Sequence, residues 1–279
     1  MFYPEIDPIL VSIGPIAIRW YGLSYLFGFL ACFYLGKRRA SLYGWSAEEV
    51  SDLVFYGAIG AVLGGRIGFS FFYGFDVLAD DPLFLFRVWE GGMSFHGGLI
   101  GTLLAIFWFG RKTNRIFLEV ADFIAPLVPI GLGFGRLGNF ANTELPGRFT
   151  DSFFGIFYPC KADSIRSINP VCFGEWEEFA RHPSPIYQSV GEGLVLFAIV
   201  FYVAQYARKR DFILSGFVSG GFLVFYGLIR CFTEVFREPD PGIGFLLFDF
   251  LTMGQFLSIP MVIVGMLLMI RAIGKDLKG

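Results

Sequence analysis

The sequence predicts an all-α fold: a polytopic helical membrane protein with about seven transmembrane helices, forming a single integral-membrane domain over residues 1–279. Three observations lead to this prediction. The chain is 55% hydrophobic and 16% charged, with a mean hydropathy of +0.61, whereas soluble domains contain about 25% charged residues. Phe and Gly lead the composition with 36 residues each, and glycine lets helices pack closely in lipid. Long apolar runs also recur along the whole chain.

Seven of these runs are close to the length, about 20 residues, that a helix needs to cross the apolar core of a bilayer. They span residues 16–36, 50–73, 94–110, 117–140, 185–207, 213–236 and 252–273. The third run is the shortest. The first residues carry neither the basic segment nor the cleavage site of a removable signal peptide, so we expect the first run to stay in the protein as a helix.

Basic residues indicate the orientation of these helices. They follow the first, third, fifth and seventh runs, as Lys37, Arg38 and Arg39, then Arg111, Lys112 and Arg115, then Arg208, Lys209 and Arg210, and finally Arg271, Lys275 and Lys278. The opposite connections are acidic or mixed, with Asp76, Asp80, Asp81 and Glu90 in one and Glu238 and Asp240 in another. Because cytoplasmic connections are enriched in Lys and Arg, the N-terminus is predicted outside and the C-terminus in the cytoplasm, which requires an odd number of spans.

The connection over residues 141–184, between the fourth and fifth spans, is predicted to form a small periplasmic cap. Connections of this length are usually functional or disordered. Cys160 and Cys172 both lie in it, on the oxidising side of the membrane, so a disulfide between them and two free thiols are both open. Cys32 and Cys231 lie in apolar runs and are expected to be buried and inert. The cysteine and histidine spacings match no metal site, so neither a metal nor another cofactor is expected.

Three arginines, Arg66, Arg136 and Arg230, lie within or at the end of apolar runs. An arginine at the bilayer centre costs about 2.5–3.5 kcal/mol on insertion scales, so such residues face a protein interior or bind an anion, such as a lipid phosphate. Arg136 belongs to the segment GRLGNFANTELPGR, where Asn139 falls on the same helical face. The alternative is a helix end from which Arg136 reaches water.

A polar stripe marks the sixth run. Its members are Tyr226, Arg230, Glu234 and Arg237, at spacings of four, four and three residues. Such spacings place side chains on one face of a helix, and Glu234 could hold the guanidinium of Arg230 in one orientation. The alternative is an ion pair that only neutralises the arginine.

His96, Arg66 and Tyr21 each leave two interpretations open. His96 opens the third run among glycines that leave room for a substrate, yet a lone histidine is more often structural. Arg66 lacks a polar stripe, so we favour a structural role, with pairing to Asp52 or Glu119, or lipid anchoring, as alternatives. Tyr21, at the outer end of the first run, is either functional or part of the aromatic belt at the membrane surface.

Six motifs together resemble the bacterial prolipoprotein diacylglyceryl transferase family over nearly the whole chain. They are PxxDPxxxSIGPxxxxWYGLxY from Pro4, LGGRIG from Leu63, GGMSFHGGLIG from Gly91, DFIAPLxPxGLGxGRLGNFxNxEL from Asp122, RHPS from Arg181 and MGQxLSIPM from Met253. The resemblance implies a multi-pass enzyme of the bacterial inner (cytoplasmic) membrane. Its partners would be phosphatidylglycerol, the lipobox cysteine in the signal peptide of a prolipoprotein, and the bilayer. The diacylglyceryl group would pass to the cysteine thiol as a thioether, releasing glycerol 1-phosphate.

The resemblance also implies roles for particular residues. Arg136 and Arg230 match the phosphate-binding arginines of the family, and His96 matches the histidine proposed to activate the thiol. Other positions that the family needs or favours correspond to Tyr21, Asn139, Glu144, Gly147, Tyr226 and Glu234. Two departures occur: Ala141 replaces a larger aliphatic residue, and PIYQ after RHPS replaces QLYE. The second change puts Gln188 where the family has a carboxylate, although Glu192 lies one turn further on.

Three other classes of membrane protein fit less well. A transporter or flippase would be expected to show repeated halves or paired broken helices, and the sequence shows no internal repeat. An intramembrane protease would need a pairing of Ser with His, paired aspartates or HExxH, and none stands out. A membrane scaffold leaves the polar stripe of the sixth run unexplained. The formal net charge of −2 says nothing about nucleic acid, and no nucleic-acid partner is expected for a membrane enzyme of this kind.

Overall fold

The computed structural model describes residues 1–14, 16–168, 170–210, 216–239, 244–246 and 251–276. The helices are, in chain order, α1 (Trp20–Ala40), α2 (Ala47–Phe72), α3 (Phe75–Asp80), α4 (Phe95–Lys112), α5 (Phe117–Ile124), α6 (Val128–Ala141), α7 (Asp163–Arg166), α8 (Ser184–Gln188), α9 (Leu196–Lys209), α10 (Phe217–Glu234) and α11 (Met253–Asp276). A π-helical segment, Ser189–Val195, joins α8 to α9. Short 3-10 helices cover Ser41–Tyr43, Pro82–Phe86 and Val88–Glu90. The predicted start of the sixth run at residue 213, Asp240 and Lys278 lie outside the described residues.

Several helices are long and apolar enough to cross a membrane. Within the described residues these are α2, the continuous stretch Ser184–Lys209, α10 and the Met253–Gly274 part of α11, and α5 with α6 makes a fifth if the pair is one span. The chain is therefore a helical membrane protein. Each predicted apolar run contains a helix, while the count of seven spans and the orientation stay predictions.

The all-α prediction missed three short antiparallel hairpins. They pair β1 (Ile9–Ile13) with β2 (Ile16–Arg19), β3 (Cys172–Phe173) with β4 (Trp176–Glu177), and β5 (Phe245–Leu246) with β6 (Leu251–Thr252). The first hairpin corrects the start of the first run from residue 16 to Trp20. Its strands are rich in β-branched residues, which favour extended backbone, and Gly14 provides a positive φ of 59° between them.

The predicted fourth run is two helices, because α5 ends at Ile124 and α6 begins at Val128. Two prolines explain the break. Pro126 lies two residues after the end of α5, and a proline ring cannot continue a helix without losing a hydrogen bond. Pro129 lies in the first turn of α6, where the missing N–H has no helical partner to lose. The run over residues 117–140 is therefore two helices rather than one, and whether the bent pair forms one span stays a prediction.

The chain divides into two compact units: Met1–Cys32 with Ile124–Gly279, and Phe33–Phe123. A single domain over the whole chain stays a prediction. In the first unit, α10 packs against α9 and α11, and α6 packs against α8 and the π segment. An apolar core that includes Leu196, Val200 and Val218 lies among these helices.

In the second unit, α2 and α4 pack through facing glycines. A Cβ atom on Gly64 would lie 2.3 Å from the carbonyl oxygen of Gly97, and one on Gly60 would lie 2.5 Å from that of Gly101. No larger residue fits such a contact without moving a helix, and small residues are what allow membrane helices to approach this closely. The contact fixes the start of α4, where His96 lies.

Arg66 has the structural role favoured from the sequence. Its side chain is buried in the second unit, where it donates to the backbone carbonyls of Phe84, Leu85, Gly91 and Gly92. The guanidinium also lies 4.3 Å from the centre of the Phe84 ring. The alternative pairings were wrong, because Asp52 pairs with Lys112 and Glu119 with Arg115. Arg66 thus holds the connection that follows α2.

The predicted cap, residues 141–184, folds around its own small core in the first unit. Tyr3, Ile156, Tyr158 and Ile165 form this core. The N-terminal segment joins it through two backbone hydrogen bonds: the N–H of Tyr3 donates to the Phe157 carbonyl, and the N–H of Phe157 donates to the Met1 carbonyl. A disulfide links Cys160 to Cys172, so the disulfide hypothesis is confirmed. Cys32 and Cys231 are free thiols, partly rather than fully buried.

Candidate active site

A buried carboxylate joins the two arginines that the sequence singled out. Glu192, in the π segment, is fully buried. Its Oε2 accepts a hydrogen bond from Nε of Arg136 at 3.0 Å, and its Oε1 accepts one from Nη1 of Arg230 at 3.0 Å. Arg136 belongs to α6 and Arg230 to α10, so one carboxylate connects two helices. Such charge-assisted bonds are about twice as strong as neutral ones.

Glycines on both sides of Glu192 make this bridge possible. A Cβ atom on Gly193 would lie 2.8 Å from Cα of Gly133 in α6, and one on Gly191 would lie 3.0 Å from the Ile229 side chain in α10. The Ser189 hydroxyl also donates to the Gly133 carbonyl at 3.0 Å. The π segment therefore sits close to both helices, and Glu192 lies between them. Single π turns are often found at functional sites.

The ion network continues along α10. Nη2 of Arg230 lies 2.8 Å from Oε2 of Glu234, and Nη1 of Arg237 lies 3.7 Å from Oε1 of the same carboxylate. Gly254, in the first turn of α11, leaves space for Glu234, because a Cβ atom there would lie 2.7 Å from Oε2. The predicted stripe thus exists, except that α10 ends at Glu234 and Arg237 lies beyond the helix.

Arg136 differs from Arg230 because two nitrogens of its guanidinium, Nη1 and Nη2, remain available to a ligand. Glu192 occupies its Nε edge, and Nη1 and Nη2 make no hydrogen bond to any residue that the structure describes. The side chain is 18% exposed, against 9% for Arg230. Arg136 therefore presents a two-nitrogen fork of the kind that matches a phosphate. Arg230 already pairs with two carboxylates, so fewer of its N–H groups are free to bind a ligand.

Asn139, Glu144 and Gly147 form the next layer. Nδ2 of Asn139 donates to Glu144 Oε2 at 2.7 Å, and Nδ2 of Asn142 donates to Glu144 Oε1 at 3.1 Å. Gly147 contributes only backbone: its N–H donates to the His182 carbonyl, and a Cβ atom there would lie 2.2 Å from that oxygen. Glu144 thus fixes the chain as it leaves α6, and position 147 has no room for a side chain.

The two predicted tyrosines lie beside this network. Tyr21 in α1 packs against Gly138 of α6, where a Cβ atom would lie 3.0 Å from its ring. Its hydroxyl is within hydrogen-bond distance of the Tyr25 hydroxyl, at 3.0 Å. Tyr226 lies one turn before Arg230 and packs against the apolar core of the first unit. Among the described residues, its hydroxyl has no hydrogen-bond partner.

His96 lies in the other unit, in the first turn of α4 after the N-cap Ser94. Its side chain is exposed, its ring is perpendicular to that of Phe95, and it makes no hydrogen bond to a residue within the described ranges. The exposed ring is accessible to a second molecule. That His96 acts beside the arginines stays a prediction.

Sequence reasoning missed the residue at the centre of the site. Glu192 was noted only for its distance from Gln188, yet it is the lone carboxylate in an otherwise apolar run, between two glycines. That pattern, GEG, was the available signal. Gln188 is also fully buried, and its two amide atoms have no hydrogen-bond partner among the described residues. The carboxylate that contacts both arginines is Glu192, one turn after Gln188.

The cap holds a second buried ion pair, below Gly147. Nε of Arg181 contacts both carboxylate oxygens of Glu177 at 2.9 and 3.0 Å, and its Nη1 donates to the Gly147 carbonyl at 3.1 Å. Burial raises the pKa of Glu177, and Arg181 opposes this change. Burial lowers the pKa of His182. These residues support the loop that carries Gly147.

Two arginines held by buried carboxylates can bind a phosphate. Preorganised arginines stabilise charge that develops on a departing oxygen. Across the described ranges, no group of three His, Cys, Asp or Glu side chains could hold a metal ion. The acidic residues of the site are instead paired with arginines.

Comparison with known proteins gives one consistent result. Residues 8–271 match the family described as "Prolipoprotein diacylglyceryl transferase". Curated relatives named phosphatidylglycerol–prolipoprotein diacylglyceryl transferase include one from Chromohalobacter salexigens, 48% identical over 95% of this chain and 92% of the relative. Others come from Pseudoalteromonas atlantica, 49% identical over 98% and 92%, and Vibrio cholerae strain O395, 50% identical over 96% and 92%.

Proposed function

Since the chain belongs to the prolipoprotein diacylglyceryl transferase family, its activity is transfer of a diacylglyceryl group from phosphatidylglycerol to a prolipoprotein, and we propose that this occurs at Arg136, Glu192 and Arg230. The acceptor in this proposal is the thiol of the lipobox cysteine. The observation that supports it is the accessible, unpaired fork of Arg136 within a buried ion network.

The proposed reaction replaces one bond to carbon with another. The thiolate attacks the glyceryl carbon that carries the phosphodiester, a C–S bond forms and the C–O bond breaks, and glycerol 1-phosphate leaves with the bonding electrons. The thiol proton passes to a base. Only a few per cent of a thiol with a pKa of about 8.5 is ionised near neutral pH, so the reaction needs both a base and stabilisation of the leaving phosphate.

Arg136 supplies the primary phosphate contact. Its Nη1 and Nη2 can donate to two phosphate oxygens together, while Glu192 fixes the opposite edge of the guanidinium. Arg230, in α10, supplies further donors to the phosphate. It has five N–H groups, and the two carboxylates that pair with it accept from only some of them. Loss of one comparable donor costs about 2.7–4 kcal/mol of transition-state stabilisation in a well-studied hydrolase.

His96 is the proposed base. It is exposed at the start of α4 and carries no competing hydrogen bond from a described residue. Imidazole is the side chain whose ordinary titration range lies closest to neutral pH, which suits proton removal from a thiol. The glycines around it leave room for the acceptor peptide.

The proposal includes the placement in the membrane: seven spans in the bacterial inner membrane, the N-terminus and the cap outside, and the C-terminus in the cytoplasm. The basic residues in the last turns of α1, α4 and α9 support this orientation. Arg136 near the outer end of α6 would then lie at the depth of the outer-leaflet phosphates, close to where a lipobox leaves the membrane.

The direct test is reconstitution of the transfer. Purified full chain is incubated with phosphatidylglycerol that carries labelled acyl chains and with a lipobox peptide. We expect a thioether-linked diacylglyceryl peptide by mass spectrometry and stoichiometric glycerol 1-phosphate. A Cys→Ser peptide is the control and should stay unmodified. Lipid movement between leaflets without peptide modification would refute the proposal and favour a flippase.

A further inference from the structure

The carboxylate of Glu192 contacts both Arg136 and Arg230, and its side chain is fully buried. We propose that Glu192 is a specificity-determining residue, whose charge adjusts the arginine pair to hold a singly charged phosphodiester and to release a doubly charged phosphomonoester. This inference rests on the proposed function, since it concerns the substrate and product of that reaction.

The geometry makes Glu192 part of the charge balance rather than a distant neighbour. Its two oxygens lie 3.0 Å from Nε of Arg136 and 3.0 Å from Nη1 of Arg230. A phosphate held on the free fork of Arg136 would therefore lie across one guanidinium from this carboxylate. At such separations, and away from bulk water, one unit charge changes binding by about tenfold or more.

The reaction changes the charge that the site must hold. Phosphatidylglycerol carries one negative charge on its diester. The leaving group is a phosphate monoester, which carries about −1.5 to −2 at pH 7 because its second pKa is about 6. A site with uncompensated arginines would hold the product more tightly than the substrate. Glu192 lowers the positive charge by one unit, whatever other residues contribute, and so favours product release.

A purely structural role predicts something different. If Glu192 only supported the two arginines, its loss would weaken the binding of every anionic ligand. If its charge sets selectivity, removing that charge while keeping the side-chain shape would strengthen the binding of the product, glycerol 1-phosphate. Glu192→Gln makes this distinction, because glutamine keeps the length of the side chain and one of the two accepting oxygens while it removes the charge.

The experiment measures inhibition by glycerol 1-phosphate in the reconstituted transfer with full-length protein at pH 8. For Glu192→Gln we expect the inhibition constant of glycerol 1-phosphate to fall about tenfold or more. We also expect kcat to fall by a larger factor than the KM for phosphatidylglycerol. The matched control is Glu119→Gln, which removes a carboxylate paired with Arg115 in the other unit and should leave the inhibition constant unchanged. An unchanged or weaker inhibition constant in Glu192→Gln would overturn the inference.

A second measurement needs only the wild-type protein, and so covers the case in which Glu192→Gln fails to fold. Glycerol 1-phosphate is compared with its methyl ester, which carries a single charge. We expect the inhibition constants of the two compounds for the wild type to agree within about threefold, although glycerol 1-phosphate, as a dianion, has the larger attraction to arginine. A tenfold preference for the dianion would overturn the inference while the transfer itself remained. Absence of transfer by the wild type would instead overturn the proposed function.

Discussion

Gly193 lies against the backbone of Gly133, and this contact places Glu192 beside Arg136. A Cβ atom on Gly193 would lie 2.8 Å from Cα of Gly133, and the Glu192–Arg136 hydrogen bond is 3.0 Å long. The π segment and α6 can approach this closely only because both residues are glycines. The close contact and the ion pair are therefore one feature of the fold.

Gly193→Ala should reduce transfer by about tenfold or more, because a displacement of about 1 Å at a positioned group can cost about a hundredfold. The added methyl group must push the π segment away from α6, and Glu192 moves with it. The measurement is kcat/KM for phosphatidylglycerol. Gly131→Ala, also in α6, is the matched control, because a Cβ atom there meets nothing within 4 Å. Equal activity in the two variants would show that the contact does not position the site.

Arg230→Lys should lose most of its activity although it keeps the charge. The arginine reaches Glu192 and Glu234 through two different nitrogens, 3.0 and 2.8 Å away, and a single ammonium cannot reproduce that fork. Leaving a buried charge unpaired costs about 3–5 kcal/mol, so we also expect a lower unfolding temperature. Wild-type turnover in this variant would mean that charge alone suffices at position 230.

His96→Asn should alter the pH dependence of transfer as well as its rate. Without the base, the reaction depends on thiol that ionises unaided, with a pKa of about 8.5. The deficit relative to wild type should therefore be largest near pH 6.5–7 and shrink toward pH 9. The measurement is kcat/KM for the lipobox peptide across that range. A profile parallel to the wild type would assign deprotonation to another group.

The Cys160–Cys172 disulfide should stabilise the cap. The bond closes a separation of 12 residues, and cross-links of about this size contribute about 3 kcal/mol. The double replacement by serine should make residues 141–184 more sensitive to limited proteolysis, with a smaller effect on transfer. Cys231→Ser is the control, because that thiol is free. Equal protease sensitivity of the two variants would contradict the role of the disulfide.

The sequence predicted the helices well because composition and run length decide them locally. Each of the seven runs contains a helix, and the arginine at position 66 has the structural role expected of one without polar companions. The break between α5 and α6 could have been predicted from Pro126 and Pro129. It was missed because the segment is apolar throughout and was therefore taken as one run. The second strand of the first hairpin, Ile16–Arg19, was included in the first apolar run for the same reason.

The site was only half predictable. Arg136 and Arg230 attract attention because charge is costly in an apolar run. Glu192 bears the same cost, but its partners lie 56 and 38 residues away, and the bridge depends on close contacts between three segments. Glu234 was assigned to Arg230 because the two lie four residues apart on one helix. Local spacing identifies pairs of this kind, whereas long-range bridges need the packing.

In the proposed mechanism, the free fork of Arg136 holds the lipid phosphate during transfer. Its most direct test is kcat/KM of Arg136→Ala in the reconstituted reaction, with folding checked by gel filtration and circular dichroism. We expect kcat/KM to fall about a hundredfold to a thousandfold, the range seen when one positioned donor is removed, in a protein that stays folded. Transfer at the wild-type rate by folded Arg136→Ala would contradict it.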